Sequence, residues 1–231
     1  MADRGWRVAM AGPRRPRRVL VLLGLALGLA GCGSHDSSTG PSSTGPSSAD
    51  RTLLVQLNAQ FNDGKTVRWA TLPVPVFTNG IARPDEVTAW QSATGGAVSF
   101  TFVGSRPAQG ISFRAGGGND VCGMTTVEYD SDGHITSADI QIVVAIFRTP
   151  VCTNTVSHET DHAIGFLAHT ADGGLMDPDG GNGQITPEDV SFIRALYALA
   201  PGTFVGVAER TRLALGRTGH RSITIVDPVR R

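Results

Sequence analysis

The stretch SHETDHAIGFLAHT, residues 157–170, holds three of the chain's six histidines, one glutamate and one glycine. His158 and His162 stand four residues apart. On a helix that spacing puts both imidazoles on one face, one turn apart, where they can grip a single ion. Glu159 follows the first of them and points to one side, within reach of a water at that ion. This is the H-E-x-x-H arrangement, in which the carboxylate serves as general base. Gly165 comes three residues after His162, where a helix can close in a left-handed turn that glycine adopts at little cost. Such a turn sends the chain back, so a third ligand must follow soon. His169 and Asp172 are the two candidates.

The N-terminus reads as an export signal. Six arginines and one acid, Asp3, lie in the first 31 residues, a net +5 in a chain that is formally neutral. The remainder therefore carries 0 − 5 = −5, which gives no electrostatic reason to expect nucleic-acid binding. The apolar run VLVLLGLALGLAG, residues 19–31, is short for a spanning helix and suits a signal segment. It ends in LAGC, which resembles the bacterial lipobox and would make Cys32 the lipidated first residue of an exported, membrane-anchored protein. Residues 32–50, with SSTGP repeated, lack apolar side chains and read as a flexible tether. Cys122 and Cys152 then remain. An even pair in an exported domain most simply forms one disulfide, with a thiol held against a metal as the alternative.

Residues 51–200 read as one α+β domain, strand-rich first and helical later. TLLVQLN and VRWATLPVPVFTN read as extended. RPDEVTAWQSATGG reads as a helix, with Pro84 at its first position, acids in its first turn and Gly95-Gly96 as its stop. AVSFTFVG and QGISFRAG alternate as strands, and MTTVEYDSDGHITSADIQIVVAIF reads as a strand, an Asp-Gly turn and a second strand from about Ala138. NTVSHETDHAIG and PEDVSFIRALYALA are the further helices. The last is capped by Thr186 and faces the core with Val190, Ile193 and Tyr197. Residues 201–231 carry six arginines against Glu209 and Asp227 and read as a solvated, Arg-rich C-terminal extension. His35, His134 and His220 have no partner motif and read as surface residues.

The run HETDHAIGFLAHT…GLMDP…ITPEDVSFIRALYAL resembles the metzincin zinc peptidases, specifically their matrixin-like branch. The resemblance covers residues 67–200 and implies a twisted mixed sheet with an active-site helix, a Met-turn and a closing C-terminal helix. It implies a zinc (Zn2+) endopeptidase acting on a protein or peptide substrate as a monomer. His158 and His162 would hold the metal, Glu159 would be catalytic, and Met176 would form the Met-turn. The family's third histidine falls here on Ala168, which cannot ligate. His169 is next to it, and one extra loop residue is absorbed at little cost, so His169 is the expected third ligand and Asp172 the alternative. Asp161 replaces a common glycine and is expected to face away from the ligands, adjusting surface charge. The resemblance places the substrate along an edge strand within residues 139–144. It also leaves room for structural calcium (Ca2+) at Asp130, Asp132 or Asn119-Asp120. The run DPDGGNGQITPED resembles a calcium loop with one glycine too many; Asp177 and Pro178 completing the Met-turn is the preferred reading. Without a propeptide cysteine between Cys32 and the domain, any latency must have another source.

Overall fold

The structure, a computed structural model, describes residues 45–116, 120–146, 152–178, 181–206 and 219–228. The signal segment, Cys32 and the first part of the tether lie outside the described residues, as do Asn119 and Asp179. The fold is α+β, with four helices and a mixed six-stranded sheet among the described residues. No described helix is long and apolar enough to cross a membrane.

The strands are β1 (Val74–Phe77), β2 (Phe100–Phe102), β3 (Gly110–Gly116), β4 (Val121–Tyr129), β5 (Ile135–Val143) and β6 (Arg221–Pro228). Their order across the sheet is β2-β1-β3-β5-β4-β6. β2, β1, β3 and β5 run parallel, while β4 is antiparallel to β5 and β6 is antiparallel to β4. The hairpin between β4 and β5 closes at Gly133, whose φ of 80° is open chiefly to glycine. Its second strand begins at Ile135, ahead of the expected Ala138.

There are four helices among the described residues: α1 (Ser48–Leu57), α2 (Pro84–Ala93), α3 (Thr155–Ala163) and α4 (Pro187–Ala198); α3 packs on β4 and β5, and α1 packs on α4. The expectation that TLLVQLN is extended does not hold. Ser47 accepts from the Asp50 N–H at 3.1 Å, Asp50 accepts from the Ser47 N–H at 3.2 Å, and this reciprocal cap starts a helix. Leu54 and Leu57 then recur one turn apart in the core, so the folded part reaches back beyond Arg51. α4 is capped by the same device at Thr186 and Asp189, with Pro187 in its first turn. Its buried face is Phe192, Ile193 and Leu196, whereas Val190 and Tyr197 are only half-buried. Each fully buried side chain of that size contributes about 1.5–3 kcal/mol.

Cys122, in β4, and Cys152, just before α3, are joined in a disulfide with Cα atoms 5.3 Å apart. The bond closes a loop of sequence separation 30, worth about 3 kcal/mol in the chain-entropy model. Replacing both cysteines with serine should therefore lower the urea midpoint by about 1 M or more. An unchanged midpoint would show that the native packing fixes this loop without the bond.

Candidate metal centre

Helix α3 has only nine residues, and no side chain caps its N-terminus. Its stability has to come from tertiary partners, because so short a helix is marginal alone. Three carbonyls at its C-terminal end each find a donor from a distant segment. Trp69 Nε1 donates to Ala163 O at 2.8 Å, Tyr197 Oη to Ile164 O at 3.0 Å, and Asn58 Nδ2 to Gly165 O at 2.7 Å. At the other end Trp90 Nε1 donates to Ser157 O at 2.8 Å, tying α3 to α2. Gly165 takes a φ of 114°, and a Cβ there would stand 2.7 Å from Val67 O. The turn after α3 is thus reserved for glycine on two counts.

That rigid helix and turn bring the histidines together. His158 Nδ1 lies 2.6 Å from Leu175 O and His162 Nδ1 lies 2.5 Å from Phe166 O. A carbonyl can only accept, so both Nδ1 atoms carry a proton and both Nε2 atoms face inward. His162 Nε2 is 3.2 Å from His158 Nε2, which is 3.3 Å from His169 Nε2. Burial drives the His162 imidazole down to about 3, which keeps it neutral. A carboxylate completes the group. Asp227, in β6, places Oδ1 2.7 Å from His169 Nε2 and 3.1 Å from His158 Nε2, and Oδ2 3.7 Å from His162 Nε2. The four ligand atoms all lie within 4.8 Å of one another and could hold a metal ion.

Glu159 is fully buried beside this group. Its Oε2 accepts from Thr125 Oγ1 at 2.6 Å, while Oε1 has no hydrogen-bond partner. Gly123 in β4 makes the room, since a Cβ there would stand 2.1 Å from Glu159 Oε1. Burial, and then the charge of Asp227, push the Glu159 carboxyl well above its ordinary range. For Asp227 burial works in the same direction, but hydrogen bonds with His158 and His169 outweigh it and hold that carboxyl far below its usual range. Two neighbouring carboxyl groups are shifted in opposite directions in this way.

Of the sequence-predicted residues, the structure brings His158, His162, His169 and Glu159 into one site. Met176 is fully buried next to Leu175, and its carbonyl accepts from the Thr170 N–H at 3.0 Å. Asp172 does not join them. It accepts from Thr170 Oγ1 at 2.9 Å, Thr186 Oγ1 at 2.6 Å and Gly174 N at 3.0 Å, and so braces the loop that carries Met176. Asp130 is engaged by the N–H groups of Asp132 and His134 and by the His134 ring. Among the described residues the only group of this kind is the one containing Asp227.

Three expectations are corrected. Residues 139–143 belong to β5, which lies inside the sheet between β3 and β4; the strand beside the site is β4. Residues 221–228 are not a solvated extension but the outermost strand, and they supply Asp227. The sequence signal was present in RSITIVDP, where Ile223, Ile225 and Asp227 alternate with Ser222, Thr224 and Val226. Asp161 does not adjust surface charge. It is fully buried with neither carboxylate oxygen hydrogen-bonded, and burial together with the Asp189 charge pushes it well above its ordinary range.

Asp189 itself is pushed up to about 6, chiefly by burial, against about 3.9 in an unfolded chain. The folded chain keeps this proton over a window in which the unfolded chain has released it. Its contribution to stability is therefore complete below about pH 4 and is lost as pH rises through about 6. Asp189→Asn should narrow the difference between urea midpoints measured at about pH 4 and pH 7. An undiminished difference would show that Asp189 ionises as freely in the folded chain as in the unfolded one.

Searches against models of protein families and against curated proteins return no match to this chain.

Proposed function

We propose that the chain is a zinc-dependent endopeptidase of metzincin, matrixin-like type, displayed on the outer side of a bacterial membrane. One observation carries this reading: three inward-facing imidazole nitrogens converge beside a buried glutamate that has one unpartnered oxygen. The donor set fits zinc, which favours imidazole nitrogen and carboxylate oxygen in a compact, roughly tetrahedral arrangement. When bound, the ion would polarise a peptide carbonyl and make a neighbouring water more acidic.

The protein's own groups do the rest. The Leu175 and Phe166 carbonyls fix the tautomer and the aim of His158 and His162. Thr125 holds one oxygen of Glu159 and leaves the other free to take a proton from water and return it to the leaving amine. Burial has already raised the affinity of Glu159 for that proton. β4, the strand beside the site, is paired on both sides, so an extended peptide would align on its backbone only in the place β6 holds. Placement at the membrane rests on the LAGC run and the tether that follows it. No nucleic-acid role is implied.

A second reading has one specific observation in its favour. With Asp227 the site has four protein ligands, the closed set typical of a structural ion. The chain would then be a catalytically degenerate cell-surface or peptide-binding lipoprotein whose metal pins its C-terminal strand. The two separate on incubating the zinc-loaded full chain, beside its Asp227→Ala variant, with a mixed peptide library. Cleavage by either protein supports the endopeptidase. If both hold zinc and neither cleaves, the structural reading stands.

A further inference from the structure

β6 lies antiparallel on β4 from Arg221, opposite Tyr129, to Asp227, opposite Gly123. Its side chains alternate as a half-buried strand requires. Ile225 and Asp227 are buried and Ile223 is partly buried, while Ser222, Thr224 and Val226 face outward. An aspartate at an inward position of such a strand is costly unless a positive centre meets it. Here it meets the group of three imidazoles, where a bound cation would supply that charge. Asp227 also stands opposite Gly123, the position whose missing side chain houses Glu159. One residue therefore covers both the open side of the metal group and the base beside it. The far end of the strand is clamped separately. Arg221 Nη2 pairs with Asp63 Oδ2 at 2.7 Å, and the hydroxyls of Thr126 and Thr224 meet at 3.0 Å.

We propose that Arg221–Pro228 is a self-supplied occupant of the peptide groove, so that the chain is latent until this strand leaves β4. The inference rests on the metal-centre part of the function proposed above. β4 is paired with β5 on one side, and its other side is the edge an extended peptide would use; β6 occupies it with backbone hydrogen bonds of the same kind. A carboxylate in the ligand set would also compete for the position a substrate carbonyl or a water would need on a bound ion. β6 is held to the sheet along one edge only, and its loss leaves the strands from β2 to β4 paired with one another. A strand of this kind belongs to the part of a fold that opens first.

The test uses the full chain loaded with cobalt, whose absorption reports the ligands, and acetohydroxamate, a small chelating anion that needs the same position as Asp227. If the strand is docked in all but about 1% of molecules, the wild type should bind acetohydroxamate about 100-fold more weakly than Asp227→Ala. Asp227→Asn, which preserves side-chain volume, should behave like the alanine variant. Arg221→Ala, remote from the metal, should tighten acetohydroxamate binding several-fold by freeing the far end of the strand. Equal affinities in wild type and both Asp227 variants, with cobalt bound in all, would overturn the latency and leave the peptidase reading untouched. Cobalt lost only from the Asp227 variants would make Asp227 a structural ligand and also overturn it. Cobalt absent from every protein would remove the metal centre on which both proposals stand.

Discussion

Glu159→Gln, made in the zinc-loaded Asp227→Ala chain, is expected to lower peptide cleavage by about 10²–10⁴-fold, the range of a lost general base. Zinc content should not change, because Glu159 is not among the residues whose ligand atoms converge. The glutamine keeps the volume of the side chain and can still accept from Thr125, so packing is preserved while the proton acceptor is removed. Gly123→Ala offers a second route to the same loss. Its Cβ would occupy the space 2.1 Å from Glu159 Oε1, and the carboxylate would have to swing away from the metal group. Kinetics and metal analysis on the purified variants check both. Cleavage undiminished in Glu159→Gln would assign the base to another group and sink the role given to Glu159.

Metal removal should have the largest effect on stability. A ligand that binds only the folded chain, present at 1,000 times its dissociation constant, stabilises it by about 4.1 kcal/mol. For a domain of this size that corresponds to about 8–16 °C in thermal midpoint. Stripping zinc with a chelator should lower the midpoint by that amount, and adding zinc back should restore it. In His162→Ala the chelator should change little. His162 is the most enclosed of the three histidines, and its loss leaves only two nitrogens beside the Asp227 carboxylate to hold the ion. A chelator-insensitive midpoint in the wild type would mean that the imidazoles are satisfied without metal, for instance by protonation against Asp227.

The elements legible in the sequence were those whose signals are local. α2 and α4 begin where proline, acids and a capping threonine announce them, and α3 ends at a glycine whose φ of 114° suits no other residue. The β4–β5 hairpin followed from an Asp-Gly pair between alternating runs. α1 was misread because TLLVQLN is apolar enough for a strand, while the deciding cap at Ser47 and Asp50 sits in a stretch that composition assigns to the tether. β6 was misread for the converse reason. Six arginines in residues 201–231 suggest a solvated tail, and that composition hides the two-residue alternation of RSITIVDP.

The candidate site divides along the same line. The sequence alone determined that His158, Glu159 and His162 share one turn of helix, since the helical period sets that geometry whatever the helix packs against. Only the tertiary structure decided that His169 enters the group while Asp172 braces a loop, and that Asp161 is buried. It also decided that a carboxylate 58 residues beyond His169 completes the ligand set. Contacts between distant segments depend on sheet register, and nothing local in either strand specifies it. A slip of β6 by one residue against β4 would turn Asp227 outward and aim Val226 at the histidines.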